Sequence, residues 1–174
     1  SSWFMLDKDE VTSYFGESTS AQISDGATGV SRRVYEWNLS RRVDVFNNEI
    51  RYWYAGQVPA TSETSYLTRI TYGSASVQFE YSNGNEALVR RDAVVSHLTG
   101  FPVRTTRYLK SVTTYFEAIQ ARKYAIQYRI NELTDNLLLV SVQQIGRLGG
   151  VLPAMEFTYS GEEVEAIPFS PPPS

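Results

Sequence analysis

The chain of 174 residues contains no cysteine and only one histidine, His97. The lack of cysteine excludes disulfides, thiolate catalysis and cysteine-ligated metal sites. A single histidine excludes the multi-histidine ligand sets that are usual for catalytic zinc. No apolar run approaches the roughly 20 residues that a membrane-spanning helix requires. These absences remove several classes of enzyme and of helical membrane protein.

An excess of positive charge is also lacking, because 16 Lys and Arg stand against 19 Asp and Glu. Nucleic-acid binding depends on a concentrated basic surface, so we predict no nucleic-acid partner. The N-terminus has no basic region followed by an apolar one, and therefore no visible signal peptide. The chain starts at Ser1–Ser2 without Met, which we interpret as a fragment of a larger chain.

Alternation of apolar and polar residues, the two-residue period of a strand, recurs along the chain. The aromatic share of 13% agrees with this, because aromatic residues are enriched in strands. The predicted strands are Trp3–Leu6, Val11–Phe15, Arg33–Leu39, Ile50–Tyr54, Tyr66–Tyr72, Ser76–Tyr81, Ala87–Arg91, Val103–Tyr115, Lys123–Asn131, Leu137–Ile145 and Met155–Tyr159. Glu117–Arg129 also contains many helix formers, but its apolar residues do not gather on one helical stripe, so we predict a strand.

Turn signals separate these strands. Asn47–Asn48, Gly73–Ser74 and Asn83–Gly84 predict tight turns, and the last should return the chain into Ala87–Arg91. The apolar run Leu137–Ile145 predicts a strand that is covered on both faces. We therefore predict an all-β fold of antiparallel sheets with long curved strands and hairpins. A single domain, 1–167, would precede a stiff Pro-rich exit, 168–174.

The central stretch Arg90–Tyr115 holds His97 and a Gly100–Phe101–Pro102 corner. Asp92 precedes His97 and Ser96 is adjacent to it, but neighbouring residues on a strand face opposite ways, which opposes a Ser–His–Asp arrangement. We interpret His97 as a structural or surface residue. The stretch from Val103 onwards lacks Gly and Pro and is rich in Thr and Val, so we predict one long strand.

Two groups of carboxylates could act in pairs: Asp7, Asp9 and Glu10 near the start, and Glu162, Glu163 and Glu165 near the end. The first group could also bind Ca²⁺. They lie in predicted turns or near the terminus, and they lack the ligand spacing and glycine of an EF-hand loop. We interpret both groups as solvated charge. The sequence thus predicts no enzyme, and no catalytic, cofactor or metal site.

The remaining residues that could bind a ligand are a group of aromatics and two pairs of arginines. Tyr52, Trp53 and Tyr54 beside Arg51 would make a platform for sugars or bases. Alternating aromatics also fill both sides of a covered sheet, and this is the interpretation that we favour. Two arginine pairs flank Trp37, and they comprise Arg32, Arg33, Arg41 and Arg42. We predict cross-strand ion pairs with Glu36 and Asp44 rather than phosphate binding.

The order of the motifs resembles the N-terminal β-rich domain of the SpvB virulence protein and of the B component (TcB) of bacterial Tc toxin complexes, relatives of Rhs proteins. The resemblance begins with Trp3–Gly16 and continues through Trp37–Tyr54, Tyr66–Gly73, Val77–Tyr81, Arg91–Asp92, Gly100–Leu109 and Leu152–Ser160. The residues that match the family's motifs are Trp37, Asp44, Asn48, Tyr52, Tyr54, Arg91, Asp92, Gly100, Phe101, Arg104, Thr105, Arg107, Pro153 and Phe157. Asn47 and Ala154 depart from the family's usual Gly and Pro.

This resemblance implies a non-catalytic structural segment of a hollow β-shell that helps to encapsulate or deliver a toxin polypeptide. It also implies secretion, and partners in the remaining shell domains (a propeller and an Rhs core), other toxin-complex subunits and the enclosed polypeptide, without direct membrane insertion. The chain stops before the family's propeller. An isolated segment should expose strand edges and apolar surface and should self-associate.

The alternative is a stand-alone binding module, a carbohydrate-binding β-sandwich that uses the aromatic residues around Trp53. Both interpretations predict an all-β chain, as a shell segment or as a sandwich-like domain. They differ in whether the sheet faces are covered within the chain itself.

Overall fold

A computed structural model describes residues 2–27, 29–56, 63–84, 86 and 88–159. Within these ranges the chain forms β-strands and two single-turn 3-10 helices, Thr19–Ala21 and Gly29–Ser31, so the all-β prediction is confirmed. Residues 168–174, the predicted exit, lie outside the described residues, as do residues 162–165 with their three glutamates. The division at residue 167 stays a prediction.

The strands are β1 (Trp3–Leu6), β2 (Thr12–Phe15), β3 (Gln22–Ser24), β4 (Val34–Trp37), β5 (Leu39–Val43), β6 (Glu49–Ala55), β7 (Tyr66–Tyr72), β8 (Ala75–Tyr81), β9 (Val94–Ser96), β10 (Val103–Thr105), β11 (Leu109–Phe116), β12 (Ile119–Ile130), β13 (Leu137–Gly146) and β14 (Met155–Glu156). Ten of them form one sheet in the order β1-β2-β5-β6-β7-β8-β11-β12-β13-β14, and all its pairs are antiparallel. The pairs β3–β4 and β9–β10 form two small sheets.

The cross-strand register gives the large sheet two chemically different faces. Tyr52 pairs with Ile70 and Ile70 with Val77, which places these side chains on one face. On the other face one row of pairs runs across five strands, from β6 to β12, and it consists of Trp53, Arg69, Gln78, Thr113 and Lys123. We call these the apolar face and the polar face.

The sheet is a single layer, and neither face is covered by a second sheet in the part of the chain that the structure describes. Only Ala21, Ile23 and Tyr66 among the described apolar residues are buried. The prediction that Leu137–Ile145 is covered on both faces is therefore wrong: the side chains of β13 are half-buried, apart from buried Ser141. Its apolar residues lack a second layer to pack against.

Two predicted strands are interrupted where the backbone bonds to other parts of the fold. Arg33–Leu39 is not one strand, because the Asn38 N–H donates to the Ala21 carbonyl (2.8 Å) and the Asn38 carbonyl accepts from Gly16 N (2.9 Å). The chain passes there from the small sheet, through β4, to the large sheet, through β5. Alternation of apolar and polar residues does not predict that a chain will pass from one sheet to another.

The predicted strand Val103–Tyr115 also breaks, at Thr106–Tyr108. The N–H groups of Thr106 and Arg107 both donate to the Tyr66 hydroxyl (3.0 and 3.1 Å), and Tyr108 N donates to Ser82 Oγ (3.1 Å). These donors are therefore unavailable to a strand ladder. The residues before and after the break form β10 and β11.

The hairpin predicted at Asn83–Gly84 is wrong as well, since the described part of Ala87–Arg91 forms no strand. The Glu86 carboxylate accepts the N–H groups of Asn83 and Gly84 (3.0–3.1 Å) and closes a local loop instead. By contrast, the choice of strand over helix in Glu117–Arg129 is confirmed. Glu117 and Ala118, with φ of 49° and 64°, make the two-residue turn between β11 and β12.

The turn between β5 and β6 is built on Asp44. Its Oδ1 accepts the N–H groups of Phe46 (2.9 Å) and Asn48 (2.8 Å), while Asn47 takes a φ of 64°. Asn tolerates this region of φ better than most residues, so the tight turn predicted at Asn47–Asn48 is confirmed. The hydrogen bond from the Asn48 side chain outweighs burial and lowers the pKa of Asp44.

The turn between β1 and β2 repeats the same design. Asp7 Oδ1 accepts the N–H groups of Asp9 (2.9 Å) and Val11 (3.0 Å), and Glu10 takes a φ of 59°. An aspartate that bonds the backbone two residues on is the recurrent way in which this residue forms turns. The Asp7 carboxylate is therefore occupied by a structural role.

Replacing Asp44 with alanine is expected to raise amide exchange in the β5–β6 hairpin about fivefold, because two backbone donors lose their acceptor. Asp9→Ala is the matched control, since Asp9 occupies the equivalent turn and contributes only its N–H to the hydrogen bonds of that turn. Hydrogen–deuterium exchange with peptide-level resolution measures both. Equal effects of the two substitutions would contradict the role assigned to the Asp44 carboxylate.

Candidate functional site

The residues with catalytic potential are not assembled into a site in the described structure. His97 is exposed in the turn between β9 and β10, where its carbonyl accepts Gly100 N (3.0 Å). Among the described residues, no group of three or more histidines and carboxylates could hold a metal ion. The same ranges contain no helix with the length and apolar character needed to cross a membrane.

Strand alternation divides the predicted sugar platform between the two faces of the sheet. Arg51 and Trp53 lie exposed on the polar face, whereas Tyr52 and Tyr54 are half-buried on the other. The Tyr54 hydroxyl donates to the Leu39 carbonyl (2.9 Å), and burial raises the pKa of Tyr54 to about 12. Tyr54 is thus a packing residue, and the four side chains do not form one platform.

The arginines near Trp37 form ion pairs, but with other partners than Glu36 and Asp44, which was a wrong prediction. Arg41 Nε lies 3.0 Å from Glu17, and its guanidinium covers the Tyr14 ring at 3.6 Å. The remaining contacts are Arg41–Glu49 (3.5 Å), Arg33–Asp25 (2.8 Å), Arg42–Asp7 (3.9 Å) and a hydrogen bond from Arg32 to Gln22. The partners come from turns and neighbouring strands that the fold brings close.

A cluster around Arg107 holds the central stretch against the large sheet. Arg107 donates through Nε and Nη2 to the two oxygens of Glu63 (3.0 and 2.8 Å), and the Thr106 hydroxyl bonds the same carboxylate. The buried Tyr66 supplies the hydroxyl that accepts the backbone N–H groups of Thr106 and Arg107. We call Glu63, Tyr66, Thr106 and Arg107 the arginine cluster.

Interactions within the arginine cluster favour the ionised forms of both Glu63 and Arg107. Burial disfavours ionisation of Glu63, but the hydrogen bonds from Arg107 and Thr106 outweigh it and lower the pKa of Glu63. The hydrogen bond to Glu63 raises the pKa of Arg107, against the effect of burial. With the Glu63 side chain only 10% exposed, the pair is partly shielded from solvent.

Arg90, Arg91 and Asp92 attach the central stretch to the other half of the sheet. Asp92 accepts Arg90 Nε (2.7 Å) and, through its second oxygen, the N–H of Leu137 at the start of β13 (3.2 Å). Arg91 Nη1 lies 3.1 Å from both Glu132 and Asp135, in the turn that precedes β13. These contacts therefore have a structural role, because they join the central stretch to β13 and to the turn before it.

The other motif residues lie in turns and strand contacts. Gly100, with a φ of 80°, forms the corner before Phe101, and Thr105 pairs with Val94 in the small β9–β10 sheet. Arg104 is exposed, but its carbonyl accepts Thr64 N (2.8 Å). Pro153 is exposed just before β14, and Phe157 N donates to the Val140 carbonyl (2.9 Å).

The polar face carries a groove of about 490 Å³ across β7, β8, β11 and β12. Its lining includes Arg69, Gln78, Ser111, Thr113, Tyr115 and Gln120. Sequence patterns did not identify this groove, because register across four strands brings its residues together. Glu63 was missed for a similar reason, since it lies in a loop with no local pattern.

Comparison with known proteins identifies one matching family and several similar structures. Residues 1–83 match the family model described as Salmonella virulence plasmid 65kDa B protein (SpvB). The structure of the N-terminal domain of effector protein SpvB from Salmonella typhimurium strain LT2 is similar, with a TM-score of 0.67 and 15% identity over 83% of this chain and 61% of that one. A comparison with curated proteins finds no match.

Chains of toxin complexes share the fold over a larger part of this chain. The crystal structure of TcdB2-TccC3 gives a TM-score of 0.73 and 18% identity, and the Tc holotoxin pore of Photorhabdus luminescens gives 0.71 and 19%. Both matches cover 91% of this chain but only 10% of the chain compared. The similarity to the SpvB N-terminal domain and to Tc toxin components that the motifs predicted is therefore confirmed, by a family match over residues 1–83 and by a common fold.

Proposed function

We propose that the chain is a non-catalytic wall segment of a Tc/SpvB-like toxin shell, which helps to encapsulate or deliver a toxin polypeptide. One observation carries the proposal: ten strands form a single layer, and no second sheet covers either of its faces in the described chain. A free-standing domain of this size normally buries its apolar side chains between two layers. A wall has no such need, because its faces meet neighbouring parts or the enclosed space.

The free edge of the sheet supports the same function. In the described chain β1 pairs only with β2, and its four side chains, Trp3, Phe4, Met5 and Leu6, are 47–67% exposed. Long-lived soluble proteins normally protect such edges with charges, proline or a covering element. An apolar, unprotected edge fits a strip that continues into further strands or subunits.

Partners follow from this proposal and from the size of the similar chains. Because this chain spans a tenth of the length of the Tc toxin chains it matches, the rest of a shell would come from a propeller, an Rhs core and other subunits. The contents would be a toxin polypeptide, and the assembly would be secreted. No nucleic acid or direct membrane insertion enters the proposal.

The isolated 174-residue chain is expected to self-associate at micromolar concentration and to bind the dye ANS, because its apolar face and β1 edge are uncovered. Sedimentation velocity over a concentration series measures the association. The double substitution Ile70→Thr and Val77→Thr, on a pair in the apolar face, should weaken both effects. The control is Thr71→Ser with Ser76→Thr, the adjacent pair on the polar face.

A monomer that binds no ANS and unfolds in one cooperative transition would overturn the shell proposal. Such behaviour would show that the chain covers its own faces in solution. It would favour an independent binding module instead.

A further inference from the structure

The groove of about 490 Å³ on the polar face has a neighbouring hollow. A second hollow of about 240 Å³ adjoins it towards the β7–β8 and β11–β12 turns. Arg69, Gln78 and Tyr115 line both hollows, which are therefore adjacent. The combined groove extends along the strands for several residues and remains open to solvent.

The side chains at the centre of this groove have unused hydrogen-bonding capacity. In the described ranges, the exposed Arg69 has no carboxylate partner, whereas Arg41 and Arg51 on the same face both contact Glu49. The side chains of Gln78, Tyr115 and Gln120 likewise have no hydrogen bond to another described residue. Together they offer a guanidinium, two amides and a phenol.

The lining of the groove has an excess of one positive charge. Among its lining residues Arg69 and Lys123 are cationic and Glu80 is anionic, and Lys123 Nζ lies 3.8 Å from Glu80. The Ser111 hydroxyl also bonds Glu80 (2.8 Å), and this hydrogen bond, together with nearby lysines, lowers the pKa of Glu80 against the effect of burial. Arg69 is therefore the cation left for a ligand.

An exposed aromatic ring lies beside the groove, on β6 next to Arg69. Trp53 is the cross-strand neighbour of Arg69 on the polar face, and it is 50% exposed. A large exposed indole beside an unpaired guanidinium provides an apolar plane next to a charge-assisted donor. Tyr115 adds an aromatic ring to the lining of the groove itself.

We propose that this groove binds an acidic oligosaccharide. A sugar carboxylate would accept from Arg69, ring hydroxyls would bond the amides of Gln78 and Gln120, and a sugar face would stack on Trp53. Amide groups, hydroxyls and a stacking ring together match the alternation of polar and apolar surface on a pyranose. The proposal does not depend on the shell function.

The position of the groove argues against other ligand classes. Peptides that bind sheets usually add a strand at an edge, where backbone groups are free, but this groove lies over strands whose backbone is paired. Nucleic acids need several phosphate contacts, and the described lining of this groove offers one cation without an ion pair, in a chain of net charge −3. An apolar ligand would leave the amides and the guanidinium without partners.

Ligand-observed NMR titration of the 174-residue chain tests the proposal with trigalacturonate and 3′-sialyllactose as acidic probes and lactose as the neutral probe. Saturable binding of at least one acidic probe is expected, with lactose at least tenfold weaker. Arg69→Gln should weaken the acidic probe at least tenfold, since it removes a charge-assisted hydrogen bond. Trp53→Ala should weaken it about fivefold.

Arg122→Gln is the matched control, because Arg122 is an exposed arginine on β12 of the same sheet and pairs with Thr114 on the apolar face. It should leave binding unchanged. Absence of saturable binding by either acidic probe at millimolar concentration would overturn the proposal. So would equal losses for Arg69→Gln and Arg122→Gln, or binding of poly-L-glutamate as tight as that of the sugars.

Discussion

Replacing Gly16 with alanine is expected to cost about 3 kcal/mol in the local stability of the region where β2, β4 and β5 meet. A Cβ built on Gly16 would lie 2.3 Å from Cδ1 of Trp37, and the φ of Gly16 is +66°. The substitution therefore combines overpacking against an indole ring with a backbone conformation unfavourable for alanine, each worth about 1–3 kcal/mol. Hydrogen–deuterium exchange of residues 12–24 and 34–43 measures the loss.

Gly73→Ala separates the two contributions. Gly73 has a φ of +51°, but no heavy atom lies within 4 Å of a Cβ built there. This control should lose only the backbone part, about 1 kcal/mol, in the β7–β8 hairpin. If both substitutions cost the same, overpacking against Trp37 does not contribute to the loss at Gly16.

Replacing Glu63 with alanine is expected to lower the stability of the Thr106–Tyr108 segment by about 2–3 kcal/mol. The substitution leaves the Arg107 guanidinium and the Thr106 hydroxyl without their acceptor. Removing one member of a fully buried pair costs about 3–5 kcal/mol, and we expect less for this pair because the Arg107 side chain is 33% exposed. Amide exchange of residues 105–109 and 63–66 measures the effect.

Glu132→Ala is the control for this experiment. Glu132 also lies 3.1 Å from an arginine, Arg91, but its side chain is 76% exposed. Exposed pairs contribute little, so exchange near Arg91 should change by no more than about twofold. A large effect at Glu132 with none at Glu63 would show that the arginine cluster does not anchor the central stretch.

The contribution of Glu63 should also depend on pH in a defined direction. Its pKa in the folded chain is lower than the usual value of 4.5, so the unfolded segment takes up a proton first as the pH falls. The stabilisation is then fully present above pH 4.5 and is lost as the pH falls through the pKa of the folded state. The wild-type chain and Glu63→Ala should therefore converge in acid, and a constant difference down to about pH 2 would contradict the ionised pair.

The structure changes how the motif residues are understood. Asp44 and Asn48, which the motifs singled out without a role, form one turn in which the carboxylate organises the backbone. Arg107 and Asp92 bind partners more than 40 residues away, Glu63 and Leu137 respectively. These residues are spaced along the chain so as to fasten the central stretch to the sheet, which explains them without any catalytic role.

Local pattern was sufficient where each strand pairs with its neighbour in sequence. The alternation in Tyr66–Tyr72 and Ser76–Tyr81, with a glycine between them, predicted β7 and β8, because the two-residue period and the turn residue are both local properties. The same holds for β12, where alternation outweighed helix propensity. Asn47, placed by the sequence in a turn, takes the positive φ that its side chain tolerates.

The breaks at Asn38 and at Thr106–Tyr108 depended on distant partners. At each break the backbone N–H groups bond to Ala21, Tyr66 or Ser82, which are close in space but remote in sequence. The arginine partners and the polar groove depend in the same way on cross-strand register, which side-chain period alone does not specify between strands.

The sequence by itself determined the all-β class, most of the strands, the tight turn at Asn47 and the family resemblance, since each rests on local periodicity, turn chemistry or motif order. Only the tertiary structure decided that the sheet is a single layer with an apolar and a polar face. Whether a half-apolar strand such as β13 is covered depends on what packs above it, and alternation is the same in a wall and in a sandwich. The groove around Arg69 exists for the same reason, because four strands in register bring its residues together on the uncovered polar face.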